Sequence, residues 1–212
     1  MKNRPMFLAA GLLVCAFVLG LLESSLIGDS RSASEALAQV AKRSDDEGKK
    51  IVPYVPTPQE VVDRMLELAQ VKKGDVVYDL GSGDGRIVVT AAKKYGVKAI
   101  GFEIDPERIK ESHENIKKAG VGHLVEIRKQ DIRTVDLSGA SVLTMYLLPE
   151  VNLMIRPNIW KQMKPGSRVV SHDFDMGDWK PVKVERFKDD SGWEHTLYFW
   201  RVEAKHASGD YR

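Results

Sequence analysis

The chain has 212 residues and a mass of 23.7 kDa, with 43% hydrophobic and 29% charged residues. That is enough for one sizeable buried core and excludes a disordered or fibrous chain. Its 32 basic and 30 acidic residues leave a formal charge of +2, so no overall field draws it to nucleic acid, and the single Cys15 excludes an internal disulfide and a cysteine-rich zinc site.

Residues 6–22 are all apolar or glycine, with Lys2 and Arg4 in front and Glu23, Ser24 and Ser25 behind. The run exceeds the roughly 7 to 15 residues of a signal-peptide core and falls a little short of the ~20 of a full span. The nearest small-x-small word, Ala36-Leu37-Ala38, lies well past it. Segment 1–28 is therefore expected to be an uncleaved membrane anchor, with a cleaved export signal or a buried helix as alternatives. Residues 29–50 are polar and charged without an apolar period, and read as a solvated linker.

The folded domain is expected over 51–203. Pro53, Pro56 and Pro58 keep its lead-in extended. Thr57 or Pro58 opens a helix in which Val61, Val62, Met65, Leu66 and Ala69 recur at helical spacing, and Gly74 marks its exit. Short apolar runs then alternate with helical patterns, the signature of parallel βαβ units in an α/β fold. Strands are expected at 75–80, 98–104, 124–129, 141–147 and 168–174, and helices at 86–95, 106–119 and about 151–163. Segments 182–187 and 195–202 flank the turn-rich Lys188-Asp189-Asp190-Ser191-Gly192 and form an antiparallel hairpin. Trp179, Trp193 and Trp200, with Tyr198 and Phe199, suggest aromatic packing around that hairpin, with a membrane-facing or cage role as the alternative. Residues 204–212 read as a polar tail.

The most informative stretch is Val77-Tyr78-Asp79-Leu80-Gly81-Ser82-Gly83-Asp84-Gly85-Arg86, a strand running into a glycine loop that opens a helix. A glycine removes a side chain where backbone turns sharply or approaches a ligand; a turn without a ligand is the plain alternative. Asp79, just ahead of the first glycine, would repel a pyrophosphate and suits a cationic ligand. Glu103 follows the loop by about 20 residues, where an acid accepts the ribose hydroxyls of a nucleoside.

Asp79-x-Gly81-x-Gly83-x-Gly85, with Gly101-Phe102-Glu103 and Gln130-Asp131-Ile132, resembles the motif series of class I S-adenosylmethionine (SAM)-dependent methyltransferases, over residues of about 51–202. The resemblance implies a Rossmann-like seven-strand sheet, mostly parallel with a C-terminal antiparallel hairpin and helices on both faces. It implies SAM as cofactor, with Asp79, Gly81, Ser82, Gly83 and Gly85 around its methionine part, Glu103 on the ribose and Asp131 on the adenine; a helix cap is the plain reading of Asp131. Pro53-Tyr54-Val55-Pro56-Thr57, taken with Asp79-Leu80-Gly81-Ser82-Gly83-Asp84-Gly85-Arg86, is similar to small membrane-anchored protein-lysine methyltransferases that modify mitochondrial ATP synthase subunit c and the adenine nucleotide carrier, and to their bacterial relatives. There the proline-rich lead-in folds over the cofactor, which makes Tyr54 and Thr57 candidate ligands, with packing as the alternative for Tyr54.

Acceptor-site residues should project from the carboxyl ends of the fourth and fifth strands, around 145–150 and 171–175. Tyr146 is a candidate wall for the methyl channel, and Glu150 and Asp173 are candidates to orient or deprotonate an amine. A core position for Tyr146, and the first helical turn for Glu150, are the structural alternatives. Direct displacement needs no metal. The expected acceptor is lysine in a membrane-associated protein; a quinone or lipid acceptor, or a SAM-binding sensor without catalysis, are the alternatives, and nucleic acid is not expected. Lys2 and Arg4 favour a domain outside the cell, while Arg31, Lys42, Arg43, Lys49 and Lys50 oppose this. A domain facing the cytoplasm, where SAM is made, is the expectation.

Overall fold

The computed structural model describes residues 54–207. The apolar run at 6–22, the linker at 29–50 and Pro53 lie outside the described residues. Among the described residues, no helix is long and apolar enough to cross a membrane.

The chain folds as α1 (Gln59–Leu68), β1 (Val76–Leu80), α2 (Arg86–Tyr95), β2 (Lys98–Glu103), α3 (Pro106–Ala119), β3 (Val125–Lys129), a 3-10 turn (Ile132–Thr134), β4 (Val142–Met145), α4 (Pro149–Gln162), β5 (Arg168–His172), β6 (Lys183–Lys188), β7 (Glu194–Arg201) and α5 (Ala204–Ala207). Every strand lies where its apolar run predicts it. β4 ends earlier than the run Leu147-Leu148 suggests because Leu148 already caps α4, with Pro149 at its first position. β5 ends at His172 because Asp173 takes a left-handed backbone, φ 59°. The stretch read as a polar tail from 204 opens instead with the short helix α5, whose His206 is buried and stacks on Trp160.

The seven strands run in the order β3-β2-β1-β4-β5-β7-β6. The first five are mutually parallel, and β7 enters antiparallel between β5 and β6. Alternation along β1 sends Val77 into the core under α1, α2 and α3, and Tyr78 and Leu80 into the core under α4. Helices therefore cover both faces. The chain winds outward from β1 through β2 to β3, then crosses to β4 on β1's other side. This is the switch point beyond whose carboxyl ends ligands collect in such sheets.

The aromatic residues near the hairpin divide. Trp179 and Trp200 are buried, and the Trp200 indole N–H donates to the Trp179 carbonyl at 2.7 Å; only Trp193 stands out, at 74% exposure. They are core packing, not a surface belt.

At the opposite end of the sheet, a buried ion pair joins Asp75 before β1 to Arg168 at the start of β5. Asp75 also accepts from the Ser141 hydroxyl and the Lys72 amide, and Arg168 donates to the Ala69 and Gln70 carbonyls beyond α1. Removing one partner strands a buried charge. Asp75→Ala is expected to lower unfolding free energy by about 3–5 kcal/mol in urea titration, and Asp75→Leu combined with Arg168→Met by far less.

Candidate active site

Gly81, Gly83 and Gly85 all carry positive φ, and the loop they make turns back onto the end of β2. The Gly81 and Ser82 amides both donate to the Phe102 carbonyl, at 2.9 and 3.0 Å. A side chain at Gly101 would sit 2.5 Å from Ser82 Oγ, so the contact exists only because that position is bare. Gly83, at φ 54°, passes under the Tyr54 ring, which a Cβ there would strike at 2.4 Å.

Glu103 closes this corner. Its carboxylate accepts from Gly83 N at 2.8 Å with one oxygen, and from Ile104 N and Asp105 N at 2.8 and 3.0 Å with the other. Beside it opens a cavity of about 220 Å³ that brings Tyr54, Thr57, Asp79, Gly81, Ser82, Glu103, Asp131 and Tyr146 to one place. Gly83 and Gly85 shape the loop behind it.

Asp79 lines the cavity at 2% exposure, and the Thr144 hydroxyl donates to it at 2.8 Å. Burial pushes its carboxyl up to about 7; the Thr144 bond opposes this, and the negative charges of Glu103 and Asp84 add to it. Ser82 Oγ is buried with no hydrogen-bond partner among the described residues. Asp131 caps the 3-10 turn through the Arg133 amide at 2.9 Å, as its plain reading has it, pairs with the Arg133 guanidinium, and also lines the cavity. Such an acid-lined recess, with one carboxyl poised between charge states and one orphaned hydroxyl, fits a cationic nucleoside and opposes a pyrophosphate.

Two arginines and Asp84, absent from the expected site residues, hold the lead-in over this recess. Arg86 forks to Asp84 at 2.6 Å and to the Thr57 carbonyl at 2.7 Å. The Arg108 guanidinium lies 4.7 Å from the Tyr54 ring centroid, which presses that ring onto Gly83. Asn115 donates to the Asp84 carbonyl at 2.9 Å and fixes the loop from α3. Asp84 and Arg86 stood in the glycine-loop word with no role assigned to them; Arg108, at the start of α3, carried no local sign.

On the acceptor side, Tyr146 lines the cavity just beyond β4, its ring 4.0 Å from the His172 ring and 6.1 Å from Phe174. Burial raises its phenol pKa, and the charge of Asp173, which accepts its hydrogen bond, raises it further. Asp173 is locked to β7 by the Thr196 amide at 2.9 Å and stands 3.3 Å from His172 Nε2. It reaches the cavity through Tyr146 and does not line it. Glu150, expected as a candidate base, is an exposed residue in the first turn of α4 outside the cavity lining, where a carboxylate suits the helix dipole.

Comparison with known proteins agrees with this geometry. Residues 79–183 match the ANTKMT methyltransferase domain. A protein-lysine N-methyltransferase of Saccharolobus islandicus (strain REY15A) is 51% identical over 152 residues, 71% of this chain and 94% of that protein. The mouse adenine nucleotide translocase lysine N-methyltransferase is 32% identical, over 69% of this chain and 64% of its own length. The crystal structure of an RNA methyltransferase from Salinibacter ruber in complex with S-adenosyl-L-homocysteine is 52% identical, covers 71% of this chain and 95% of that one, and superposes with a TM-score of 0.66.

A cationic ligand beside Asp79 must draw off its proton. Below about 7 the free protein holds that proton and the complex does not, so affinity falls as pH falls. Calorimetric titration with S-adenosylhomocysteine should show Kd rising about tenfold per pH unit below 7 with release of one proton, a plateau above it, and weakening again only at alkaline pH where the ligand's amino group discharges. Asp79→Asn should flatten the acid limb.

Proposed function

The chain belongs to the class I SAM-dependent methyltransferases of the ANTKMT domain family, and we propose that its acceptor is the side-chain amine of lysine in a protein. One observation carries the reading: the cavity ends at Tyr146, an aromatic wall backed by His172 and Phe174, with the Asp173 carboxylate hydrogen-bonded to its phenol. A π-face with an acid behind it suits a primary ammonium. The 51% identity with a protein-lysine enzyme along nearly that enzyme's whole length supports it.

SAM, when bound, supplies a methyl carbon activated by sulfonium. In our reading Glu103 holds the ribose, Asp79 the amino group, Ser82 Oγ and the loop amides the methionine end, and Asp131 the adenine. The lead-in, clasped by Arg86 and Arg108, covers the recess and excludes water. Tyr146 lines the path by which the amine arrives and narrows it to one line of approach. Residues 6–22, an apolar run, would hold the domain at a membrane with its acceptor there and its face to the cytoplasm.

Three measurements test the reading. Tritiated SAM incubated with the full chain and membrane or soluble extract should yield radiolabelled methyl-lysine on acid hydrolysis; label recovered only in RNA or lipid would replace the lysine acceptor with one of those. Glu103→Ala removes an acceptor of charge-assisted bonds and unpins Gly83, and should weaken S-adenosylhomocysteine binding about 100-fold, or roughly 3 kcal/mol. In intact spheroplasts the domain should resist added protease; its digestion there would place it outside.

A further inference from the structure

One line of buried polar groups starts at Thr57 on the cavity wall and leads away from the cofactor recess. Thr57 Oγ1, on the cavity wall, lies 3.4 Å from His172 Nδ1. His172 Nε2 lies 2.9 Å from His195 Nδ1, and His195 Nε2 lies 3.2 Å from Asp189 Oδ2. The two histidines are 1% and 8% exposed. They come from the end of β5 and the start of β7, antiparallel neighbours. Asp189 belongs to the hairpin turn, among the exposed residues Asp190, Ser191, Gly192 and Trp193.

With both rings uncharged, the hydrogens along this line have one consistent arrangement. The Asp189 carboxylate only accepts, so His195 carries its hydrogen on Nε2 and offers a bare Nδ1. His172 then donates from Nε2 to that nitrogen, and its own Nδ1 accepts from the Thr57 hydroxyl. Both nitrogens of each ring are used, and every donor points from the cavity toward the surface turn. Burial pulls the His172 pKa down to about 4; Asp173 opposes this and His195 adds to it. Asp189 is held well below the ordinary carboxylate range, chiefly by the Ser191 hydroxyl, so a proton reaching it passes on to water.

We propose that Thr57, His172, His195 and Asp189 form the exit through which the acceptor amine's proton leaves the active site. The inference rests on the amine reading above. A lysine ammonium, with an ordinary pKa of about 10.4, has no lone pair for attack until one proton departs. It passes that proton to the Thr57 oxygen as the Thr57 hydrogen moves to His172 Nδ1, the Nε2 hydrogen of His172 to His195, and that of His195 to Asp189 and water. The freed lone pair forms the N–C bond while the C–S bond breaks and its electron pair stays on sulfur; the products are methyl-lysine, S-adenosylhomocysteine and one released proton. Asp173, 3.3 Å from His172 Nε2, steadies the transient positive charge on that ring, and Tyr146 keeps Asp173 oriented.

The test combines activity with a readout that needs none. In ligand-free protein, nitrogen-15 NMR should show His172 and His195 neutral and protonated on Nε2 near pH 7. Single-turnover formation of methyl-lysine in the extract fraction that labels should fall about 100-fold in His195→Gln near pH 7 and recover toward alkaline pH, where the amine loses its proton unaided. Imidazole should restore His195→Ala and leave His195→Gln unchanged, and both variants should bind S-adenosylhomocysteine as the wild type does. Unchanged rates, a deficit equal at every pH, no rescue by imidazole, or Nδ1-protonated rings would each overturn the exit. So would wild-type activity lost on chelation and restored by zinc, since an ion held by His172, Asp173 and His195 takes the lone pairs that the line requires. Wild-type protein that methylates something other than lysine refutes the amine reading instead.

Discussion

The Gly81 and Ser82 amides converge on the Phe102 carbonyl, and Gly83 reaches Glu103 across the same corner. These contacts press the loop after β1 against the end of β2 so closely that Gly101 has no room for a side chain. With the loop folded there, the recess at the switch point has a floor, and Asp79 sits under it rather than in water. The elevated pKa of Asp79, the half-buried Glu103 and the orphaned Ser82 hydroxyl all follow from that one backbone approach. A loop standing even slightly further off would admit water and return Asp79 to an ordinary carboxylate.

The lead-in depends on the same loop. Arg86 reaches the Thr57 carbonyl only because Gly85, in a left-handed conformation, starts α2 in that direction. Tyr54 lies flat only because Gly83 is bare beneath it. The strap remains 41% exposed at Tyr54 yet is clasped at both ends of its ring and backbone. A segment held by two arginines, and not by apolar burial, is one whose opening costs little, as a cover that must release its ligand requires.

Much of this was legible in the chain. Apolar runs, glycines and the Asp79 to Glu103 spacing located the strands and the cofactor corner because those features are local: each is a short word whose backbone consequence does not depend on the rest of the fold. The acceptor side was less legible because it is made by register. His172 and His195 stand 23 residues apart and meet only when β7 lies antiparallel beside β5, with β6 outside it; the hairpin was readable, its insertion order was not. Glu150 drew attention as an acid near the right strand end, yet Pro149 starts the helix so early that it belongs to a solvated first turn. The packing of Trp179 and Trp200 was expected from their place near the hairpin, but the part that Trp160 and His206 take against Trp179 was not, because those residues come from other elements.

The two halves of the site meet in their charge state as well as in space. Asp79, pushed up to about 7, and His172, pulled down to about 4, are displaced in the directions that favour their neutral forms. Before a ligand arrives, burial thus holds one acid on the cavity wall partly protonated and one base behind that wall uncharged, which keeps unpaired charge out of a poorly solvated space. A sulfonium nucleoside supplies the cation that Asp79 lacks, and an ammonium arriving past Tyr146 supplies another, which the site tolerates only by losing a proton. Two cations brought together at low dielectric repel strongly, and that repulsion itself favours the neutral amine. Thr57 stands where the two halves join: its carbonyl is tied to the cofactor loop through Arg86, and its hydroxyl faces His172. One residue of the lead-in thus touches both the cofactor loop and the histidine line, and in our proposal neither half of the site is complete without it.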